Sequence, residues 1–382
     1  MIHALWYGGR GGSGGYIRYL NGLLGTHAAS SGVRVSLLCS PSLPKVLEPL
    51  DPAVHVITVP SLNNPISGQL WERMQFSRVA RELRPDVLFY SSGSIGAFPV
   101  GMPVVVPCHS LLYFDDNEYR KYRYSKVWWR HLRRMRNRHR ALYPKAAGVI
   151  FFSPYSQHLA LSKVPGIRRW SVIPHGVESR FLADTPTPTI DRPPRNVLYA
   201  STVALYKHQW NVVRAIKQLR EFSGEDYRLW LAGSDADGLG WRTLQGVLDR
   251  EEARTFTYVL GGVSHDVMTS LYRKADIFVY ASSCETFGIT LLEAMASGLP
   301  VACSNRTGLP DLLRDAGVYF DPEDCTQIAS AIARLCVDGV TRRQCAERAM
   351  RYAREYTWSR CAERTFEFLR DVAVSTRGNR TA

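Results

Sequence analysis

Short apolar runs alternate along almost the whole chain with stretches whose apolar positions recur every third or fourth residue. The first pattern reads as a strand buried on both faces and the second as an amphipathic helix. Their regular alternation predicts parallel sheets covered by helices on both sides. Predicted strands in the first half are residues 2–7, 33–39, 54–59, 87–90, 104–107 and 149–153. A stretch rich in proline, residues 184–195, cannot enter a sheet ladder and marks a domain boundary. The alternation then restarts with strands at 196–200, 227–232, 257–260, 277–281, 300–303 and 318–320. A closing stretch, 357–373, carries Trp358, Cys361, Phe366 and Leu369 as the apolar positions of a helix.

A chain of 382 residues, 45% hydrophobic and 21% charged, has apolar area for two cores. That composition excludes disorder, a collagen and a coiled coil. Eight cysteines, at 39, 108, 284, 303, 325, 336, 345 and 361, show no C-x-x-C spacing, which argues against a zinc site or a disulfide framework and for a reducing cytosol. The N-terminus lacks the basic start and apolar stretch of a signal peptide. The most apolar region, 95–114, is broken by Pro99, Pro103, Pro107 and His109 and falls short of a spanning helix, so any membrane contact is expected to be peripheral.

The net charge of +14 is concentrated: residues 120–145 hold eleven Lys and Arg and no acid. Within them Trp128, Leu132, Met135, His139 and Leu142 fall on one helical face with arginines around them. A basic amphipathic helix suits an anionic lipid surface. The same pattern also describes a helix docked on a sheet with solvated arginines, and a third reading is a nucleic-acid contact.

Directly after the first predicted strand stand Gly8, Gly9, Arg10, Gly11, Gly12, Ser13, Gly14 and Gly15, then a helical pattern. Such a tract lets a backbone approach a phosphate at a helix start. As G-x-G-x-x-G it would suggest a dinucleotide site, but residues 33–39 lack the acidic partner expected about 20 residues on, and a plain tight turn is the other reading. In the second half, Tyr280-Ala-Ser-Ser-Cys-Glu285-Thr-Phe-Gly288-Ile-Thr290-Leu-Leu-Glu293 leads from a strand through a turn into a helix that stops at Gly298. It places two carboxylates eight positions apart. For Glu293 a capping box with Thr290 is the structural alternative, and for Glu285 a solvated loop acid. Asp235 and Asp237 form a D-x-D pattern in a glycine-rich loop, where aspartates are common in turns and make a poor cage for a metal.

The segment from Glu285 to Val301 resembles the E-x7-E element of the retaining family-four glycosyltransferases with the GT-B fold. The glycine tract, His109, the run 172–177, Lys207 and the run 307–311 follow the order of that family over nearly the whole chain. The resemblance implies an α/β GT-B fold of two Rossmann-like parallel-sheet domains facing across a cleft. An acceptor-binding domain at 1–183 and a linker at 184–195 would precede a nucleotide-sugar domain at 196–356, with a helix at 357–382 crossing back to the first domain. It further implies catalytic roles for His109, Lys207 and Glu285, with His109 positioning and polarising hydroxyls. Donor contacts are implied at Gly12, Gly14, Gly15, Lys207, Val263, Phe287, Gly288, Ile289, Thr290 and Glu293. No metal and no cofactor is expected, the nucleoside diphosphate sugar being the substrate. Glu285 would hold sugar hydroxyls and Glu293 the ribose, while Lys207 neutralises the diphosphate. For Lys207 alone, a solvent-exposed lysine at a helix start is the other reading. One departure stands out: five residues before Lys207 the family usually has Arg, and this chain has Thr202. Diphosphate stabilisation would then rest on Lys207 and helix dipoles, with His208 or Arg10 as further candidates.

The context of Lys207, from Tyr206 to Asn211, resembles O-antigen and polysaccharide mannosyltransferases, which leans the donor towards GDP-mannose. The partners expected are a nucleotide sugar, a glycan or polyprenyl-linked acceptor and an anionic membrane surface, at the inner face of the cytoplasmic membrane. Two rival functions are a non-catalytic sugar-nucleotide-binding partner in an assembly and a nucleic-acid-binding protein.

Overall fold

A computed structural model describes residues 1–4, 14–25, 32–63, 65–93, 101–186 and 193–381. The chain forms two units: Met1–Phe114 with Arg130–Gly176 and Thr357–Ala382, and Asp115–Trp129 with Val177–Tyr356.

Seven strands build the first unit: β1 Ile2–Ala4, β2 Ser36–Cys39, β3 His55–Thr58, β4 Leu88–Tyr90, β5 Val104–Pro107, β6 Gly148–Phe151 and β7 Trp170–Val172. They pair in parallel in the order β3-β2-β1-β4-β5-β6-β7. Six strands build the second: β8 Asn196–Ala200, β9 Arg228–Ala232, β10 Thr257–Gly261, β11 Ile277–Tyr280, β12 Val301–Ser304 and β13 Gly317–Phe320. These are also parallel, in the order β10-β9-β8-β11-β12-β13. Central strands such as β5, β11 and β12 are buried throughout, which is why their sequences run apolar without alternation. β7 escapes the sequence reading because it is three residues long and half-exposed at a sheet edge.

The helices, in chain order, begin with α1 Gly14–Leu24, α2 Pro65–Met74, α3 Phe76–Leu83, α4 Asp116–Lys121, α5 Lys126–Leu142, α6 Pro154–Lys163 and α7 Gln209–Ser223. There follow α8 Leu239–Arg250, α9 His265–Lys274, α10 Ile289–Ala296, α11 Leu309–Leu313, α12 Cys325–Val337, α13 Gly339–Ala353 and α14 Trp358–Thr381. In each sheet the strand order reverses direction once, between β1 and β4 and between β8 and β11. Outside the carboxyl ends at such a reversal the connections diverge and leave a crevice, where ligands of open parallel sheets bind.

The apolar stripe of α5 is turned partly into the protein, with Trp128, Met135 and Leu142 half-buried. Leu132 and His139 are buried, His139 stacks on Tyr113 at 4.6 Å, and Trp128 donates Nε1–H to the Asp237 carbonyl at 2.7 Å. What α5 leaves to solvent is its basic face, Lys126, Arg130, Arg133, Arg134 and Arg140, with Val127 78% exposed among them. Among the described residues no helix is long and apolar enough to cross a membrane.

Candidate functional site

In the second unit the strand reversal between β8 and β11 is flanked by Lys207 and Glu285. After β8 the chain makes a 3-10 turn, Leu205–Lys207, and His208 takes a left-handed backbone (φ 51°) before α7 starts at Gln209. Lys207 is 6% exposed, and a lysine so buried needs a partner. Its ammonium meets Glu285 Oε1 in a close ion pair and lies 3.3 Å from the Tyr280 hydroxyl. Tyr280 in turn donates to the same Oε1 at 2.9 Å. Burial, and then the Glu285 charge, hold the Tyr280 phenol well above its ordinary range, so it stays a donor. Among the described residues Glu285 Oε2 takes no hydrogen bond, leaving one acceptor oxygen open. Lys207 is thus not the solvated helix-start lysine, and Glu285 is not a solvated loop acid.

The two loops are laced together. The Tyr206 carbonyl accepts from Ser283 N at 2.8 Å, and His208 Nε2 lies 2.9 Å from Ser283 Oγ. His208 is 3% exposed; burial, and then the nearby Lys121 charge, push its imidazole down to about 4. With its pKa at that level it is neutral here, so it would meet a phosphate as an N–H donor rather than as a second cation. Arg10, the other candidate, lies outside the described residues. Thr202 itself brings no charge, and its backbone carbonyl accepts from Gln209 Nε2 at 2.9 Å and from Ser201 Oγ at 3.1 Å.

Gly288 supplies the backbone that turns the chain into α10. Its φ of 104° is a region L-residues rarely adopt, and a Cβ there would approach Leu309 Cδ2 to 2.9 Å. Gly288 is also the N-cap of α10, so Thr290 lies inside the helix and the capping-box reading of Glu293 fails. Glu293 is 2% exposed and accepts from the Tyr272 hydroxyl at 3.0 Å through Oε2. The first N–H groups of α10, beginning at Ile289 and Thr290, precede any intrahelical acceptor and carry the positive end of the helix dipole. Phe287 is buried and packs on Tyr356 at 5.6 Å, a core contact. Val263 is half-buried in the loop after β10.

The D-x-D aspartates are occupied by their own loop and its neighbours. Asp235 Oδ1 accepts from Asp237 N and Gly238 N at 3.2 and 2.7 Å. Asp237 accepts from Leu239 N and Gly240 N through Oδ1, and from Leu205 N and the Tyr122 hydroxyl through Oδ2.

In the first unit His109 stands just past β5. Its Nε2 lies 2.7 Å from the Ser91 carbonyl oxygen, so that nitrogen carries the proton and Nδ1 is the acceptor. Tyr19 and Phe152 pack against the ring at 5.4 and 5.1 Å, and burial pushes its pKa down to about 4. Of the glycines, Gly14 and Gly15 open α1 and Gly12 lies outside the described residues. His175, in the run 172–177, is stacked on Phe152 at 4.0 Å and held neutral by burial. Sequence reading misses Tyr280 and Tyr272. Tyr280 sits at the end of an apolar run and Tyr272 is one helix aromatic among many, so no local signal marks either.

Two parallel Rossmann-like sheets, with a buried lysine paired to a half-buried acid at the strand reversal of the second, define a GT-B protein. Solved structures agree on the fold: sucrose-phosphate synthase from Thermosynechococcus elongatus gives a TM-score of 0.77 at 21% identity, covering 98% of this chain and 99% of that one. The Anabaena protein HepE in complex with UDP-glucose gives 0.73 at 20% identity, covering 97% and 99%. Residues 14–181 match Glycosyltransferase Family 4 and residues 184–352 match Glycosyl transferases group 1. The chain belongs to the family-four, group 1 glycosyltransferases. A curated relative, O-antigen chain mannosyltransferase B of Escherichia coli, is 32% identical over 163 residues, 42% of each chain. This chain therefore spans less than half the length of that relative.

Proposed function

We propose that the protein transfers a sugar from a nucleoside diphosphate to a glycan or lipid-linked glycan acceptor in surface polysaccharide biosynthesis, with retention at the anomeric carbon and without a metal. The observation that carries this reading is the Lys207–Glu285–Tyr280 triangle at the β8/β11 reversal, beside the N-terminus of α10. Lys207 exchanges part of its bond to Glu285 for the donor diphosphate, whose charge is shared with the N–H groups of α10. Glu285, through Oε2, accepts from donor sugar hydroxyls, and Glu293 accepts from the ribose. In the reaction the bond from the anomeric carbon to the phosphate oxygen breaks, and the acceptor oxygen bonds that carbon on the same face. The departing phosphate oxygen takes the acceptor proton. His109 Nδ1, as a neutral acceptor, orients a hydroxyl. Both oxygens of Asp237 and Oδ1 of Asp235 are engaged by backbone and tyrosine donors, which favours phosphate neutralisation by Lys207 and helix dipoles.

Likeness to an O-antigen mannosyltransferase supports GDP-mannose as donor. A thermal-shift screen across GDP-, UDP- and dTDP-sugars tests this, since a ligand that binds only the folded chain raises its melting temperature. Stabilisation by GDP-mannose above the others is expected; selective stabilisation by a UDP-sugar would reassign the donor. The exposed basic face of α5 supports peripheral attachment to the anionic inner face of the cytoplasmic membrane, where a polyprenyl-linked acceptor resides.

A further inference from the structure

Residues Asp115–Trp129 lie in sequence between two stretches of the first unit, yet they belong to the second. There they touch three loops that leave the carboxyl ends of its strands. Lys121 bonds Glu323 at 2.7 Å in the loop after β13. Glu118, buried and bonded to Lys121 at 2.8 Å, reaches Ser283 in the loop after β11. Tyr122 and Trp128 both bond Asp237 in the loop after β9, the hydroxyl to Oδ2 and the indole to the carbonyl, each at 2.7 Å.

Asp237 is the junction. Its Oδ2 accepts from the Tyr122 hydroxyl and, at 2.9 Å, from Leu205 N, the first residue of the turn that ends in Lys207. The far end of that turn is held by Tyr199, whose hydroxyl donates to the Lys207 carbonyl at 2.5 Å. The start of the turn is therefore fixed by a carboxylate, 7% exposed, that is itself aimed by Tyr122, 1% exposed. A buried carboxylate that loses one of its donors re-aims towards those that remain. Burial, and then Asp237, hold the Tyr122 phenol protonated, so it donates at any working pH.

We propose that Tyr122, acting through Asp237, is a positioning residue that sets the Lys207 ammonium for the diphosphate of the donor. The inference rests on the donor reading of Lys207, and a double-mutant cycle separates the two. GDP and UDP affinities are measured by calorimetry for the full chain and for its Tyr122→Phe, Lys207→Ala and doubly substituted forms, each checked by thermal unfolding. If Tyr122 acts through Lys207, Tyr122→Phe weakens binding of the preferred nucleotide about fivefold in the wild-type background and less than about twofold beside Lys207→Ala. Equal losses in both backgrounds, or none in either, overturn the inference while leaving the donor site standing. Should Lys207→Ala itself bind both nucleotides as tightly as wild type, the donor reading falls and this inference with it. If Tyr122→Phe does not fold, Asp237→Asn, which turns one acceptor oxygen into a donor, replaces it in the same cycle under the same criteria.

Discussion

Glu285 receives Lys207 and Tyr280 through a single oxygen, so the tyrosine hydroxyl sets where that carboxylate points. Tyr280→Phe removes this donor with little change of shape. Turnover is expected to fall about tenfold with nucleotide binding nearly kept, because the loss falls on the sugar rather than the diphosphate; steady-state kinetics with unchanged kcat would contradict it. A buried acid in the first unit gives a pH signature. Glu72, on α2, lies 3.5 Å from His3 with Tyr90 and Arg138 nearby. The distance would suit an ion pair, but burial pushes Glu72 up to about 7, against the opposing pull of Arg138, and His3 down to about 3, so in mildly acid solution both are largely neutral. A carboxyl whose folded pKa is raised keeps a proton that the unfolded chain gives up. Its contribution is full below the ordinary glutamate range and is lost as pH rises towards 7. Measured against Glu72→Gln, the wild type should gain roughly 2 kcal/mol between pH 7.5 and pH 5. Denaturant melts at the two pH values check it, and an equal difference at both would refute the neutral pair.

At the scale of elements, the alternation of strands and helices was legible because central parallel strands are buried on both faces, and their apolar runs are hard to mistake. The Glu285–Glu293 spacing was legible for a related reason, since a strand, a Gly288 turn and a helix leave little freedom in where those carboxylates fall. What stayed hidden depends on long-range contacts. Trp128 and Leu132 fitted a stripe facing lipid or one docked on the protein, and the sequence left both open because their partners, a carbonyl 109 residues away for Trp128 and a protein interior for Leu132, carry no local signature. Asp237 was legible as a turn aspartate, but not its link to Tyr122 and Leu205, because its four donors come from three places in the chain. The packing of α14 on α1 is another contact of this kind. A Cβ on Gly22 would come within 2.1 Å of the Trp358 indole. Gly22→Ala should cost about 1–3 kcal/mol and lower the melting temperature, since the indole has to leave its place among Tyr19 and His175. A melting temperature equal to wild type would show that this helix pair adapts freely.

For the whole molecule, the concentration of charge matters more than its total. Because the centre of the apolar side of α5 is buried at Leu132 and His139, while Lys126, Arg130, Arg133, Arg134 and Arg140 are exposed, binding to a membrane should be mainly electrostatic. Sedimentation with vesicles containing phosphatidylglycerol is expected to capture the protein at low salt and release it as salt screens the attraction; no capture at low salt would remove the membrane assignment. The central claim is that one buried lysine and one acid grip an activated sugar at the strand reversal of the second unit. Its most direct test is sugar transfer or donor hydrolysis by wild type, Lys207→Ala and Glu285→Ala with the donor that stabilises the chain most. Losses of about 100-fold or more in both variants are predicted, and near-normal turnover in both would contradict the claim.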